Sequence, residues 1–165
     1  MGDRAVVVFR KEHTLTERET YYKYSPMVYL HWNGSKDNVL YYIDKLAETM
    51  EGREGDLDYG IARFIGICHE DIKGNLSLGV SNCPVTDDTD NLFYDELGHI
   101  TQGDNGVYVV DIDTYQVERN YEKYVANGED DFDREPAEEY IFSDYAKGYI
   151  DKAKLRNALL SKDLE

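Results

Sequence analysis

Two stretches of this chain carry apolar residues at helical spacing one directly after the other, and runs of β-branched or alternating residues flank the pair on both sides. Val39, Leu40, Ile43, Leu46, Ala47 and Met50 fall at offsets 0, 1, 4, 7, 8 and 11, which is one face of a helix. Ser35 stands where an N-cap belongs. Ile61, Phe64, Ile65, Cys68 and Ile72 fall at 0, 3, 4, 7 and 11, with Asp56 or Asp58 as cap and Lys73-Gly74-Asn75 as stop. A central helix pair between strands admits few layer architectures.

Residues 5–9 are a β-branched run bounded by charge, and residues 27–32 are a second run ended by Asn33-Gly34, so both read as strands. Between them residues 12–24 are polar with Tyr21, Tyr22 and Tyr24, which suits a long hairpin loop or the frayed ends of longer strands. Residues 76–80 alternate and give a third strand. Gly103-Asp104-Asn105-Gly106 is a turn signal, after which residues 107–112 and 115–119 read as a hairpin joined through Asp113-Thr114. Residues 127–134 are too charged to bury and read as an exposed loop.

Pro136 suits an early helical position and Gly148 a helix stop. A last helix fits from Asp151, with Ile150 as a hydrophobic staple onto Leu155 and Leu159 continuing the face. The order is ββααβββαα. Short links between the last three strands favour hairpins. The expectation is an α+β two-layer sandwich, a largely antiparallel sheet of about five strands with helices on one face. At 165 residues the chain reads as one domain spanning 1–165, because halving it would leave two marginal cores.

Charge decides what such a domain can meet. Acids outnumber bases 34 to 18, a net charge of -16, and the excess is concentrated. Residues 84–140 hold 17 acids and 3 bases, whereas residues 1–83 hold 13 and 10. That field repels phosphate backbones and anionic membranes and attracts basic protein surfaces. Direct nucleic-acid binding is therefore disfavoured. Two cysteines, Cys68 and Cys83, and no apolar run behind a basic flank at the start suggest a reduced, cytoplasmic setting. No stretch approaches the roughly 18 apolar residues of a membrane span.

Candidate chemistry is sparse. None of His13, His31, His69 and His99 has zinc spacing by itself. Asp95, Glu96 and His99 could hold a divalent ion, which would make the chain a metal-binding protein or a metal-dependent enzyme; loops this acidic also contain such clusters by composition. His31 beside Trp32 could belong to a binding site, or Trp32 could be core with His31 half exposed or hydrogen-bonded. Cys68-His69 looks like a thiolate and base, but Cys68 lies on the apolar stripe of its helix. Cys83 has no adjacent cation to activate it. The strings Asp87-Asp88-Thr89-Asp90 and Asp111-Ile112-Asp113 lack the spacing of a calcium loop. No phosphate loop, nucleophile elbow or kinase signature occurs. These readings assign no catalytic residue and no cofactor, and they point away from an enzyme.

Fifteen tyrosines accompany the acids. Tyrosine is enriched at interfaces because it offers contact area at low entropic cost. The tyrosines could simply edge the sheet while the charges keep the chain dispersed. Alternatively, carboxylates and phenols form a partner-binding face on Asp87, Asp88, Asp90, Tyr94, Glu129, Asp130, Asp131 and Asp133, imitating a phosphate backbone.

The run Val28-Tyr29-Leu30-His31-Trp32-Asn33-Gly34 followed by a helix, with Asp104-Asn105-Gly106-Val107-Tyr108 further on, resembles small uncharacterised proteins of phages and bacterial mobile elements. The resemblance implies an accessory protein of a bacterium or its phage and transfers no site residue. By analogy with that setting, the partner of an acidic face would be a nucleic-acid-binding or defence protein of the host.

Overall fold

Five consecutive residues, Ala5 to Phe9, are fully buried, and on a pleated strand that requires both faces of the sheet to be covered. They open strand β1 (Ala5–Thr16) of a computed structural model, which describes residues 2–17, 19–72, 77–83, 101 and 104–163. The other strands are β2 (Glu19–Tyr24), β3 (Met27–Leu30), β4 (Leu78–Ser81), β5 (Val107–Asp111), β6 (Val117–Ala126) and β7 (Phe132–Ile141). The helices are α1 (Lys36–Thr49), α2 (Leu57–Asp71) and α3 (Asp144–Asp163).

The seven strands form one open sheet in the order β4-β3-β1-β5-β6-β7, with β2 also paired to β1. The inner part of β1 pairs with β3 and its outer part with β2, so β2 and β3 together form the returning limb of one bent hairpin. The bend is at Ser25-Pro26. Proline has no N–H for the ladder, and Ser25 keeps the break satisfied: its N–H donates to Phe9 O at 2.8 Å, and the Phe9 N–H donates to Ser25 Oγ at 3.0 Å. Every pairing is antiparallel except β1 with β5. The fold is thus α+β with a mostly antiparallel sheet, as expected.

Alternation along β1 sorts the core into two parts. Ala5, Val7 and Phe9 face the helices and pack with the stripes of α1 and α2, where the Phe9 and Phe64 rings meet edge-on at 5.0 Å. Val6 and Val8 face the other way, with Val107 and Val109, against Tyr24, Met27, Tyr29 and Cys83. Burying each such side chain contributes about 1.5–3 kcal/mol. Both expected helical faces are inside, and Asp56 caps α2 by accepting the Tyr59 N–H at 3.2 Å. Ser35 occupies the N-cap of α1 without a side-chain bond to the backbone.

Several expectations are corrected. For residues 12–24 the second of the two readings holds, the ends of longer strands: Glu12 to Thr16 continue β1 and Glu19 to Tyr24 are β2, paired from Arg10 with Tyr24 to Thr16 with Glu19. The third expected strand, now β4, does not neighbour β5, since β3 and β1 lie between them, and β5 runs parallel to β1. Pro136 starts no helix. It sits in β7 opposite Glu122, on an edge strand where a missing N–H is tolerated. The two closing helices are one helix, α3, which runs through Gly148, so Ile150 is mid-helix against the core while Leu155 and Leu159 are exposed. Its real start is Ser143, whose Oγ accepts the Ala146 N–H at 3.2 Å.

Trp32 is also misplaced by simple alternation, being 47% exposed. The strand ends at Leu30, after which Asn33 turns with φ 60. Gly34 then passes so close to the N-terminal segment that a Cβ would lie 2.5 Å from Asp3 O. That close approach lets Tyr108 donate its hydroxyl to Gly34 O at 3.0 Å. The chain therefore leaves the sheet before Trp32.

The β5–β6 turn is built by Asp111, whose carboxylate accepts the N–H groups of Asp113 at 2.9 Å and Thr114 at 3.0 Å. Tyr115 closes it with φ 56. A left-handed conformation costs a bulky L-residue about 1–2 kcal/mol. The side chain offsets this by packing into the core, where its ring meets Tyr149 at 6.0 Å.

Candidate interaction surface

Strands β6 and β7 pair over ten residues, from Val117 with Ile141 to Ala126 with Phe132. Only the first four residues of β6, Val117 to Asn120, are buried. The outer part is an arm that projects past the body. Its tip turns at Asn127-Gly128, where Gly128 takes φ 98. The Asn127 N–H donates to Asp131 O and its side-chain amide to Asp133, both at 2.7 Å.

Alternation gives the arm two faces. Val117, Tyr121 and Ile141 are on the helix side with Glu139, which reaches Lys36 of α1 at 3.3 Å. The opposite face presents Glu118, Glu122 and Tyr124 from β6 and Phe132, Arg134, Glu138 and Tyr140 from β7. Phe132, Tyr124 and Tyr140 are 67, 63 and 64% exposed. Arg134 lies over the Tyr124 ring at 5.1 Å and donates to its hydroxyl at 2.9 Å, so this phenol is held in place. Residues 121–141 carry eight acids and two bases. Exposed tyrosine and phenylalanine are residues in which interfaces are enriched, whereas carboxylates belong to a polar rim.

The root of the arm is a charge network around the buried Arg119. Arg119 donates through Nε to Asn105 O at 3.0 Å and lies 4.0 Å from the Tyr121 ring centroid and 5.3 Å from that of Tyr108. Its guanidinium faces Glu139 at 3.8 Å, and the Tyr121 hydroxyl donates to Glu139 at 2.7 Å. That hydrogen bond, with Lys36 and Arg119 nearby, lowers the Glu139 carboxyl below its ordinary pKa. The same bond raises Tyr121.

Of the sequence candidates, Glu129, Asp130, Asp131 and Asp133 are all exposed and lie together at the arm tip. Asp87, Asp88, Asp90, Tyr94, Asp95, Glu96 and His99 lie outside the described residues. Sequence reasoning missed Tyr124, Phe132, Arg134 and Tyr140 as one face. The signal is present as residues at even positions, but three of the four lie on β7, whose sequence reads as loop and helix.

Most of the remaining candidates have structural partners. Cys68 is buried and its thiol is pushed up to about 12, by burial first and Asp71 second. His69 beside it is exposed. Cys83 is half-buried against the second core. His31 is half-buried and shares a 2.9 Å hydrogen bond with Tyr29, the His31 part of the expectation that Trp32 does not meet. Asp111 is committed to its turn and Asp113 to Lys11 at 2.9 Å. Among the described residues no three His, Cys, Asp or Glu side chains group to hold a metal, and no helix is long and apolar enough to cross a membrane. No family model, curated protein or solved structure matches this chain.

Proposed function

We propose that this chain is a non-enzymatic interaction protein whose acidic, aromatic arm docks on a basic protein surface, of the kind that otherwise holds a nucleic-acid backbone. The observation that carries the reading is the exposed face of Tyr124, Phe132 and Tyr140 set among carboxylates on a projecting arm. Rings supply desolvated contact area, while the carboxylates steer encounter and set register. The resemblance to phage and mobile-element proteins gives this a setting: an accessory protein of a bacterium or phage, acting on a nucleic-acid-binding or defence protein of the host. The divalent-metal alternative rests on Asp95, Glu96 and His99, outside the described residues, and no observation favours it.

The test is affinity capture from bacterial lysate at low salt, with two competitors and one variant. The expected result is capture of a nucleic-acid-binding protein that duplex DNA or RNA displaces. Its affinity should fall steeply with salt. The variant carrying Glu129→Lys, Asp130→Lys, Asp131→Lys and Asp133→Lys should lose it. Capture that is insensitive to salt, to nucleic acid and to charge reversal would overturn the reading.

A further inference from the structure

The end of α3 stands clear of the body. Ala146, Tyr149 and Ile150 pack on the core, but from Lys154 to Ser161 every residue of the helix is exposed. Leu155, Leu159 and Leu160 are each more than half exposed. At about 100° per residue, Leu155 and Leu159 share the side turned away from Ala146 and Ile150. Single exposed leucines are ordinary, but three so close together on a helix end form a patch.

The same stretch is basic in an acidic chain: residues 152–162 carry four bases and no acid. Arg156 is paired with Glu51, and Lys152 borders Glu48, Glu51 and Glu54. Lys147 and Lys154 are exposed and form no ion pair among the described residues. The chain also holds the complement of this surface. The arm shows Tyr124, Phe132 and Tyr140 on one face, and Glu129, Asp130 and Asp131 at its tip form no ion pair among the described residues.

The two surfaces do not meet within one molecule. The aromatic face of the arm is opposite to the side on which the helices pack. Ile150, Lys154 and Asn157 border Asp113 and Tyr115, at the root end of the arm. The tip is about 30 Å further along the strands. Between two copies, contact of like with like is disfavoured, because both α3 ends are basic and both arm tips acidic. Arm against α3 is the pairing in which the charges and the apolar faces both match.

We infer that the end of α3 is the docking site for the arm of a second copy of this chain, with Leu155 and Leu159 against Tyr124 and Phe132 and with Lys154 toward the acids of the tip. Related by a two-fold axis, the contact is made twice and the assembly closes as a dimer. The inference rests on the reading of the arm as a docking element, and it adds that a foreign basic partner must compete with α3 for it.

Two chains of net charge -16 repel at long range, and salt weakens that repulsion as well as the contact, so the discriminating test is an exchange of charge. Sedimentation equilibrium of the purified full chain should give twice the chain mass, falling to one on dilution. One variant carries Glu129→Lys, Asp130→Lys and Asp131→Lys; the other carries Lys147→Glu and Lys154→Glu. Each alone should pair about tenfold more weakly or worse, because like charges then meet. An equal mixture of the two should pair more tightly than either. Leu155→Ser with Leu159→Ser, on the fully exposed end, should lose pairing with the fold intact. A chain that stays single up to its solubility limit, an arm variant that pairs as tightly as the natural chain, or a mixture no tighter than its components would overturn the inference. Lysate capture without self-pairing would leave the arm's docking on a foreign protein standing and remove only α3 as its site.

Discussion

The body and the arm of this protein are held by different physics. Around β1 the sheet is covered on both sides, and the side chains of Val7, Phe9, Ile43, Leu46 and Phe64 are fully buried. Past Asn120 the β6–β7 arm has no residue in either core cluster until Ile141 packs at its root. Its order comes from the ten-residue ladder and from the Arg119, Tyr121 and Glu139 network. The body is therefore expected to open only with global unfolding, and the arm well below that free energy.

The largest expected effect is on the body. Phe64→Ala removes the ring that meets Phe9 and leaves a cavity between α2 and the sheet, at a cost of about 3–5 kcal/mol. Urea unfolding should show the loss in the midpoint of the body, with the arm open no later than the body. If amides of the arm retain their exchange protection in this variant after the body has lost its own, the arm is an independent folding unit and the comparison breaks.

Next in size is the joint between the two regions. Arg119→Met keeps the stem of the side chain but removes the guanidinium, leaving Asn105 O and Glu139 with one partner fewer. A buried acceptor left unpaired costs about 1–3 kcal/mol. Hydrogen exchange should locate the effect: amides of residues 121–139 should exchange faster by more than those of β1 and β5. Equal acceleration everywhere would mean that Arg119 serves the body alone.

The same contrast explains what could be read from the sequence. In the body, burial and periodicity coincide, so the stripes from Val39 to Met50 and from Ile61 to Ile72 identified both helices and their inner faces. In the arm no face is buried, and the hydrophobic signal on which strand assignment depends is missing. Glu135-Pro136-Ala137-Glu138-Glu139 has low intrinsic strand preference, and only a ten-residue partner makes it a strand. Trp32 failed for a third reason: alternation was carried past Leu30, where the close approach of Gly34 to Asp3 takes the chain out of the sheet. The candidate surface was legible in part. The acids of the tip stand out as composition, whereas the shared face of Tyr124, Phe132 and Tyr140 needed the register.

A smaller effect is confined to the arm tip. Gly128 turns with φ 98 in open space, so Gly128→Ala meets no clash but pays for a backbone conformation that L-residues avoid, about 1 kcal/mol. Amides near residues 126–132 should lose protection while the urea midpoint of the whole chain is unchanged. A shift in that midpoint would show that the tip is coupled to the core.

The smallest effect separates the regions by pH. The Glu139 carboxyl is lowered below its ordinary value first by the Tyr121 hydrogen bond and then by its cationic neighbours. A carboxyl depressed in the folded state stabilises that state above its unfolded pKa, and the contribution is lost as pH falls through the folded value. Acidification below about 4.3, where free glutamate is already half protonated, should therefore loosen the root of the arm, seen as a change in the Tyr121 ring resonances. Asp104 in the body is lowered as well, by the hydrogen bond from Arg4 at 2.7 Å, so acid weakens both regions and the wild-type curve alone does not separate them. Glu139→Gln does: it should remove the pH dependence at Tyr121 and keep that reported by Arg4. If Tyr121 still titrates in Glu139→Gln, the arm senses acid through the body, and the two regions are one cooperative unit.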